Sequence, residues 1–194
     1  MAPILTDLRQ ATANSHRRLE ARLPFACAGF DWAAYQRLMA AYYGFYQPLE
    51  QRLAPAAALA GVGWDERAGK SAVLEADLLA LGFSATDIRQ LPLCNALPSF
   101  DSQAALLGVL YVLEGATLGG QVLRVRMAEK LGIGAADGGA FLDVYGPQTG
   151  RLWRSFLLRL GALEATNERS EACTAASQTF DCFEAWLDSA GVLV

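Results

Sequence analysis

Histidine occurs only once in these 194 residues, at His16, and that scarcity removes whole classes of chemistry. A zinc or di-iron centre built from several imidazoles has too few ligands to draw on. The four cysteines, Cys27, Cys94, Cys173 and Cys182, contain no Cys-x-x-Cys pair. Neither a zinc knuckle nor a disulfide framework is expected from them, and free thiols are the simpler reading. Positive charge is also in short supply: 16 Lys and Arg stand against 20 Asp and Glu, for a net charge of -4. With no basic tail or charge run, a general nucleic-acid binder is excluded. The segment Met1-Ala2-Pro3-Ile4-Leu5-Thr6-Asp7 lacks the basic and apolar regions of a signal peptide, and no apolar run reads as long enough to span a membrane. These absences point to a soluble, cytoplasmic protein.

Strand hairpin signals, internal repeats and low-complexity tails are missing too. What remains is a chain that is 53% hydrophobic and 10% aromatic, expected to fold as a single domain, residues 1–194, with a substantial core. Its apolar residues recur at helical spacing. A first helix starts at Thr6-Asp7, carries His16 mid-length and is ended or bent by Pro24. A second runs from Asp31 to about Leu53, with a kink or break at Pro48. A loop follows over Ala54 to Gly63. Further helices fit Ser71–Leu81, Ala85–Gln90, a long segment from after Ser102 to Leu131, Thr149–Leu163 and Asn167–Ser189. Phe141 to Tyr145 reads as briefly extended. The expected fold class is all-α, a helical bundle.

Two segments carry chemical information. In Ser15-His16-Arg17-Arg18-Leu19-Glu20, the carboxylate lies one helical turn beyond the imidazole on nearly the same face. A carboxylate so placed fixes the tautomer and orientation of a histidine whose other nitrogen holds a metal. A single histidine suffices for a cofactor that brings most of its own ligands, such as haem. Taken alone, a helical histidine is more often an ordinary surface or core residue.

The second segment is Leu110-Tyr111-Val112-Leu113-Glu114-Gly115-Ala116-Thr117-Leu118-Gly119-Gly120-Gln121. Three glycines in six residues cost about 1 kcal/mol each inside a helix relative to alanine. The flanking apolar pattern stays helical, so the helix is expected to bend here without ending. Glycine permits a kink and close approach of a flat ligand to the main chain. Gly115 and Gly119 also have the small-xxx-small spacing of tight helix packing. Dinucleotide binding does not fit, because the spacing is not Gly-x-Gly-x-x-Gly and no strand precedes it. Together the two segments suggest a planar macrocycle held between a histidine-bearing helix and a kinked, glycine-rich one.

On these residues the chain resembles the haem oxygenase family. The resemblance covers most of the length: Leu8-Arg9-x-Ala11-Thr12-x-x-x-His16-x-x-x-Glu20, Tyr35 to Glu50, Tyr111-x-x-Glu114-Gly115-x-x-Leu118-Gly119-Gly120, and Leu152-Trp153-Arg154. The Glu-Gly-x-x-Leu-Gly-Gly form is most like the bacterial branch, some members of which supply biliverdin to bacterial phytochromes. The resemblance implies that His16 is the proximal iron ligand and Glu20 its hydrogen-bonding partner. It implies that Gly115, Gly119 and Gly120 bring the distal helix backbone against the haem. Arg9, Tyr111 and Arg154 match the positions that hold the propionates, with Arg151 as an extra contact; guanidinium forks suit carboxylates. Two departures stand out. Ala116 occupies the position where mammalian-type members carry an aspartate that organises a water near bound oxygen, which leaves Thr117 or backbone carbonyls for that task. Ala13 stands where some members have a lysine.

The implied reaction consumes haem, dioxygen and electrons from a ferredoxin or a reductase, and yields biliverdin, carbon monoxide and ferrous iron. A histidine opposite dioxygen lacks the thiolate push that favours O–O cleavage. The missing distal aspartate leaves a second reading, a non-catalytic haem carrier or sensor of the same fold. A thiaminase-like enzyme would need Glu114 with Cys94 or Cys182, and no spacing singles out that set. A purely structural helical interaction domain leaves both motifs unexplained. Arg17, Arg18, Arg124, Arg126 and Lys130 read first as a solvated face, and second as a docking surface for an acidic electron donor.

Overall fold

A computed structural model describes residues 2–61 and 63–194; Met1 and Val62, the latter inside the expected loop, lie outside the described residues. Among the described residues, seven α-helices follow one another: α1 Pro3–Arg22, α2 Trp32–Leu59, α3 Lys70–Ala80, α4 Ala85–Arg89, α5 Gln103–Leu131, α6 Thr149–Leu160 and α7 Thr166–Ser189. Among the described residues there is no strand.

Local chemistry explains most boundaries. Pro3 opens α1 three residues earlier than expected, because proline at a first helical position has its φ pre-set and no N–H to leave unpaired. Asp31 caps α2 by accepting from the Ala34 N–H at 2.8 Å. Ser102 caps α5 through the Ala105 N–H at 3.1 Å, and Gly132 ends it in the left-handed region at φ 68°. Helix α5 runs unbroken through Gly115, Gly119 and Gly120.

Three expectations are corrected. Helix α2 passes through both Pro48 and Pro55 to Leu59, so the break at Pro48 does not occur and most of the expected loop is helical. Each proline removes one backbone bond, at a cost of about 3 kcal/mol. Leu49, Leu53 and Ala57 are fully buried around them, and that burial offsets the cost. Phe141 to Tyr145 is not extended: Ala140–Asp143 forms a 3-10 turn. No neighbouring strand offers it a ladder. Instead the Asp77 carboxylate accepts the N–H groups of Ala140 at 3.0 Å and Phe141 at 2.7 Å. Finally, α5 is long and apolar enough to cross a membrane by length and composition, with a window of mean hydropathy 1.5. That window is 56% buried inside the molecule, as expected of the helix at the centre of a globular core.

The long C-terminal helix α7 packs against both α1 and α5. Against α5 the approach is backbone to backbone: a methyl group added at Gly108 would collide with the Ala172 carbonyl. Against α1 the contact is a ladder of ion pairs. Arg18 reaches Asp181 at 2.9 Å and Glu184 at 2.6 Å, and Arg22 reaches Glu184 at 3.1 Å and also Asp188. Arg169 holds Asp7 at 2.9 Å near the other end of α1. The exposed members contribute little individually, because solvent screens them. Glu184 is buried, so its two arginines also fix how α1 is rotated.

Candidate haem-binding site

Helices α1 and α5 lean on α7 and border a common cavity of about 480 Å³, within the usual range for sites that hold cofactor-sized ligands. Rings from α2 and α7 line its interior, among them Tyr42, Phe45, Tyr46 and Phe183. Tyr42 and Phe183 stack at 5.1 Å between centroids, and Phe45 and Phe183 meet at 4.7 Å. Desolvation pushes the Tyr42 and Tyr46 hydroxyls well above the ordinary tyrosine range, so both stay neutral and the interior is apolar.

On the α1 side, His16 lines the cavity with Nδ1 3.3 Å from Glu20 Oε2, and the two side chains are 54% and 63% exposed. Phe180 meets the imidazole edge to face at 5.5 Å. With Nδ1 turned to the carboxylate, Nε2 is the ring nitrogen left for a metal.

On the α5 side, the three glycines divide by surroundings. A methyl group at Gly115 would meet only Trp153, at 3.9 Å, and one at Gly119 would meet nothing within 4 Å. These two present bare backbone to open space. Gly120 also lines the cavity, but its lack of a side chain is required by the Leu142 carbonyl oxygen, 2.5 Å from where a methyl would sit. Thr117 lines the cavity too, with its hydroxyl donating to the Glu114 carbonyl at 2.7 Å. That proton is engaged within the helix, and the oxygen's remaining lone pair is free to accept.

Arg9, Thr12 and Tyr111 gather at one part of the wall. Burial raises the Tyr111 hydroxyl, while the Arg9 charge and a hydrogen bond with Thr12 pull it the other way. The corner thus combines a cation with a phenol, a pairing suited to carboxylates. Arg154 is exposed on α6 and does not line the cavity. Arg151, also exposed, turns to Gln148 at 2.8 Å and Glu66 at 3.4 Å. Cys94 and Cys182 are outside the cavity lining as well, so the set a thiaminase-like reading needs does not assemble around it.

Sequence reasoning missed a buried polar cluster behind the glycine-rich helix. Glu114, 1% exposed, pairs with Arg67 and with Lys70 Nζ at 3.0 Å, and accepts from the Tyr145 hydroxyl at 2.8 Å. Nothing in local spacing joins positions 67, 70, 114 and 145. The only hint was a glutamate inside an otherwise apolar run, which calls for a buried partner.

The heme oxygenase family model matches residues 2–189 of this chain. The chain belongs to the haem oxygenase family. It is also similar in structure to the heme oxygenase from Leptospira interrogans, with a TM-score of 0.74 at 18% identity over 97% of this chain and 100% of that one. Among curated proteins, none matches by sequence. As a member of the family, the protein is a haem-degrading oxygenase that yields biliverdin, carbon monoxide and iron. Haem is its substrate and also the cofactor that activates oxygen. The site's chemistry fits such a guest: one imidazole faces an aromatic-lined space bounded elsewhere by bare glycine backbone.

Proposed function

We propose that haem lies in the cavity between α1 and α5, with His16 as the protein ligand to iron and the whole chain acting as one haem oxygenase domain. The observation that carries this is the pairing of His16, backed by Glu20 at 3.3 Å, with the open backbone of Gly119 on the same cavity. Glu20 accepts from Nδ1 and so holds the ring with Nε2 toward the metal. Arg9 and Tyr111 bind a propionate. Arg154, exposed on α6 and outside the cavity lining, is the further propionate contact that the family resemblance assigns. Gly115 and Gly119 let the haem approach the α5 backbone on the oxygen side, and Gly120 beside them lets α5 pack against Leu142. The Thr117 oxygen and helix carbonyls hold water where the Ala116 side chain offers no polar group.

When bound, the haem supplies oxygen activation and is itself the carbon skeleton that is oxidised. The chain's residues orient it, choose the exposed ring edge and exclude bulk water. Electrons come from a ferredoxin or a reductase, for which exposed Arg126 and the half-exposed Arg124 next to Asp143 (3.5 Å) offer a basic face. We place the enzyme in the cytoplasm, as a soluble protein. A bacterial phytochrome is the proposed acceptor of the biliverdin.

The deciding experiment adds one equivalent of hemin to the purified protein, then ascorbate or a ferredoxin-reductase system in air, and follows the visible spectrum. A histidine-type Soret band that decays as biliverdin absorption grows supports the assignment. A Soret band that His16→Ala leaves unchanged removes His16 from the iron, and a stable band under every donor supports a carrier or sensor.

A further inference from the structure

The wall of the cavity contains one cation that the family resemblance did not point to. Lys70, at the start of α3, lines the cavity while being only 2% exposed. Burying an ammonium is costly unless it is fully hydrogen-bonded. Lys70 meets that condition: Nζ donates to the Arg67 carbonyl at 2.9 Å, to Glu114 Oε1 at 3.0 Å and to the Tyr145 hydroxyl at 2.5 Å. All three of its protons are taken. It therefore has no proton to spare for a ligand in the cavity, and can act on one only through its charge.

The arrangement of that charge is directional. Arg67 pairs with the same Glu114 and also donates to the Leu152 carbonyl at 3.1 Å and to Ser155 at 2.8 Å. Glu50 accepts from the Lys70 N–H and the Ser71 N–H, both at 2.9 Å, and from the Ser71 hydroxyl. Two cations and two carboxylates give a formally neutral cluster. Yet Arg67, Glu114 and Glu50 are not in the cavity wall, and Lys70 is. Lys70 is thus the member of a buried, formally neutral cluster that reaches the cavity wall, while neither carboxylate does. Glu114 immediately precedes Gly115, so the cluster is attached to the helix whose bare backbone borders the open side. In a low-dielectric interior such a charge acts over several ångströms with little screening.

We propose that Lys70 is an electrostatic positioning residue that makes the glycine side of the cavity favour anionic oxygen ligands, a task for which Ala116 has no polar atom. The proposal rests on the placement of haem given above. Arg67, Glu114, Glu50, Tyr145 and Tyr46 are the titratable or charged groups around Lys70, and Arg9 is the other cation of the cavity wall.

The test uses the ferric haem complex and two readouts independent of turnover: azide affinity, and the pH midpoint at which the water bound opposite histidine ionises. Lys70→Met should weaken azide about tenfold and raise the midpoint by about one unit, in line with the loss of a nearby charge. Glu114→Gln should move both readouts the opposite way, and Lys70→Arg should leave both near the parent values. A purely structural role would not produce opposite signs from the two neutralising variants. Equal midpoints and azide affinities across all three variants, in complexes with an intact histidine-type Soret band, would overturn the proposal. Should Lys70→Met not fold, the shifts in Glu114→Gln and Lys70→Arg decide it alone. A hemin complex whose spectrum ignores His16→Ala would instead overturn the haem placement, so the two failures are distinguishable.

Discussion

Gly119 and Gly120 are consecutive on α5, yet a methyl group at the first would meet nothing within 4 Å, while at the second it would sit 2.5 Å from the Leu142 carbonyl oxygen. One glycine leaves space for a ligand, and the other lets the chain pack on itself. Gly119→Ala should therefore fold at least as well as the parent, gaining up to about 1 kcal/mol from helix propensity, while binding hemin less tightly. Gly120→Ala should lose about 1–3 kcal/mol through overpacking. Thermal melts of the haem-free proteins beside hemin titrations separate the two effects, and equal melting temperatures would contradict the division.

The His16 side chain is more than half exposed, so removing its ring should change stability by no more than about 0.5 kcal/mol. His16→Ala should nonetheless lose the histidine-type Soret band and stop biliverdin formation, with added imidazole restoring the band. Absorption spectra with and without imidazole check this.

Glu20 acts on iron only through His16. Glu20→Gln should keep the axial bond but reduce haem affinity or turnover by about 10- to 100-fold, the range seen when a partner of a metal-bound histidine is lost. An iron–histidine stretch at unchanged frequency in the ferrous protein would show that Glu20 does not polarise the ring.

Arg67 and Glu114 are both nearly inaccessible, at 2% and 1%. Arg67→Met leaves a buried carboxylate with one cation fewer, which should cost about 3–5 kcal/mol. The double variant Arg67→Met, Glu114→Gln should recover part of that loss. Urea denaturation of the four members of the cycle measures the coupling, and additive losses would count against it.

Desolvation raises the Asp77 carboxyl above its ordinary range, opposed by the N–H groups of Phe141 and Ala140. The folded protein thus holds that proton more tightly than the unfolded chain. The contribution of Asp77 to stability is most favourable below the ordinary aspartate pKa of about 3.9, and declines as pH rises through the raised folded value. Asp77→Asn has no such dependence, so its deficit relative to the parent should narrow as pH is raised through and above the carboxylate range. Denaturation curves at several pH values test this, and a constant deficit would speak against it.

How much of this the sequence revealed depends on the range of the interactions involved. The helices were legible because apolar spacing and caps such as Asp31 and Ser102 are local. His16 and Glu20 were legible for the same reason, since four residues on a helix fix their relation. Pro48 misled because its cost is local while its compensation, the burial of Leu49 and Leu53, comes from other helices. Phe141 to Tyr145 misled because the Asp77 carboxylate that folds it lies more than sixty residues away. The Arg67–Lys70–Glu114–Tyr145 cluster was invisible because its members meet only in three dimensions. Gly120 was grouped with Gly115 and Gly119 because a sequence shows a missing side chain without showing what fills its place.

The backbone contact between Gly108 and Ala172 and the arginine ladder on α1 have one consequence for how such a pocket changes over time. Both walls are carried by α7, so the gap between them is set along a third helix, like the jaws of a clamp on a shared bar. Ala172, Ala175 and Ala176 occupy that bar as buried small residues outside the cavity lining. Enlarging any of them would shift a wall while leaving every cavity side chain as it is. The width of the slot can therefore drift in evolution, or be tuned by design, through residues that no ligand touches.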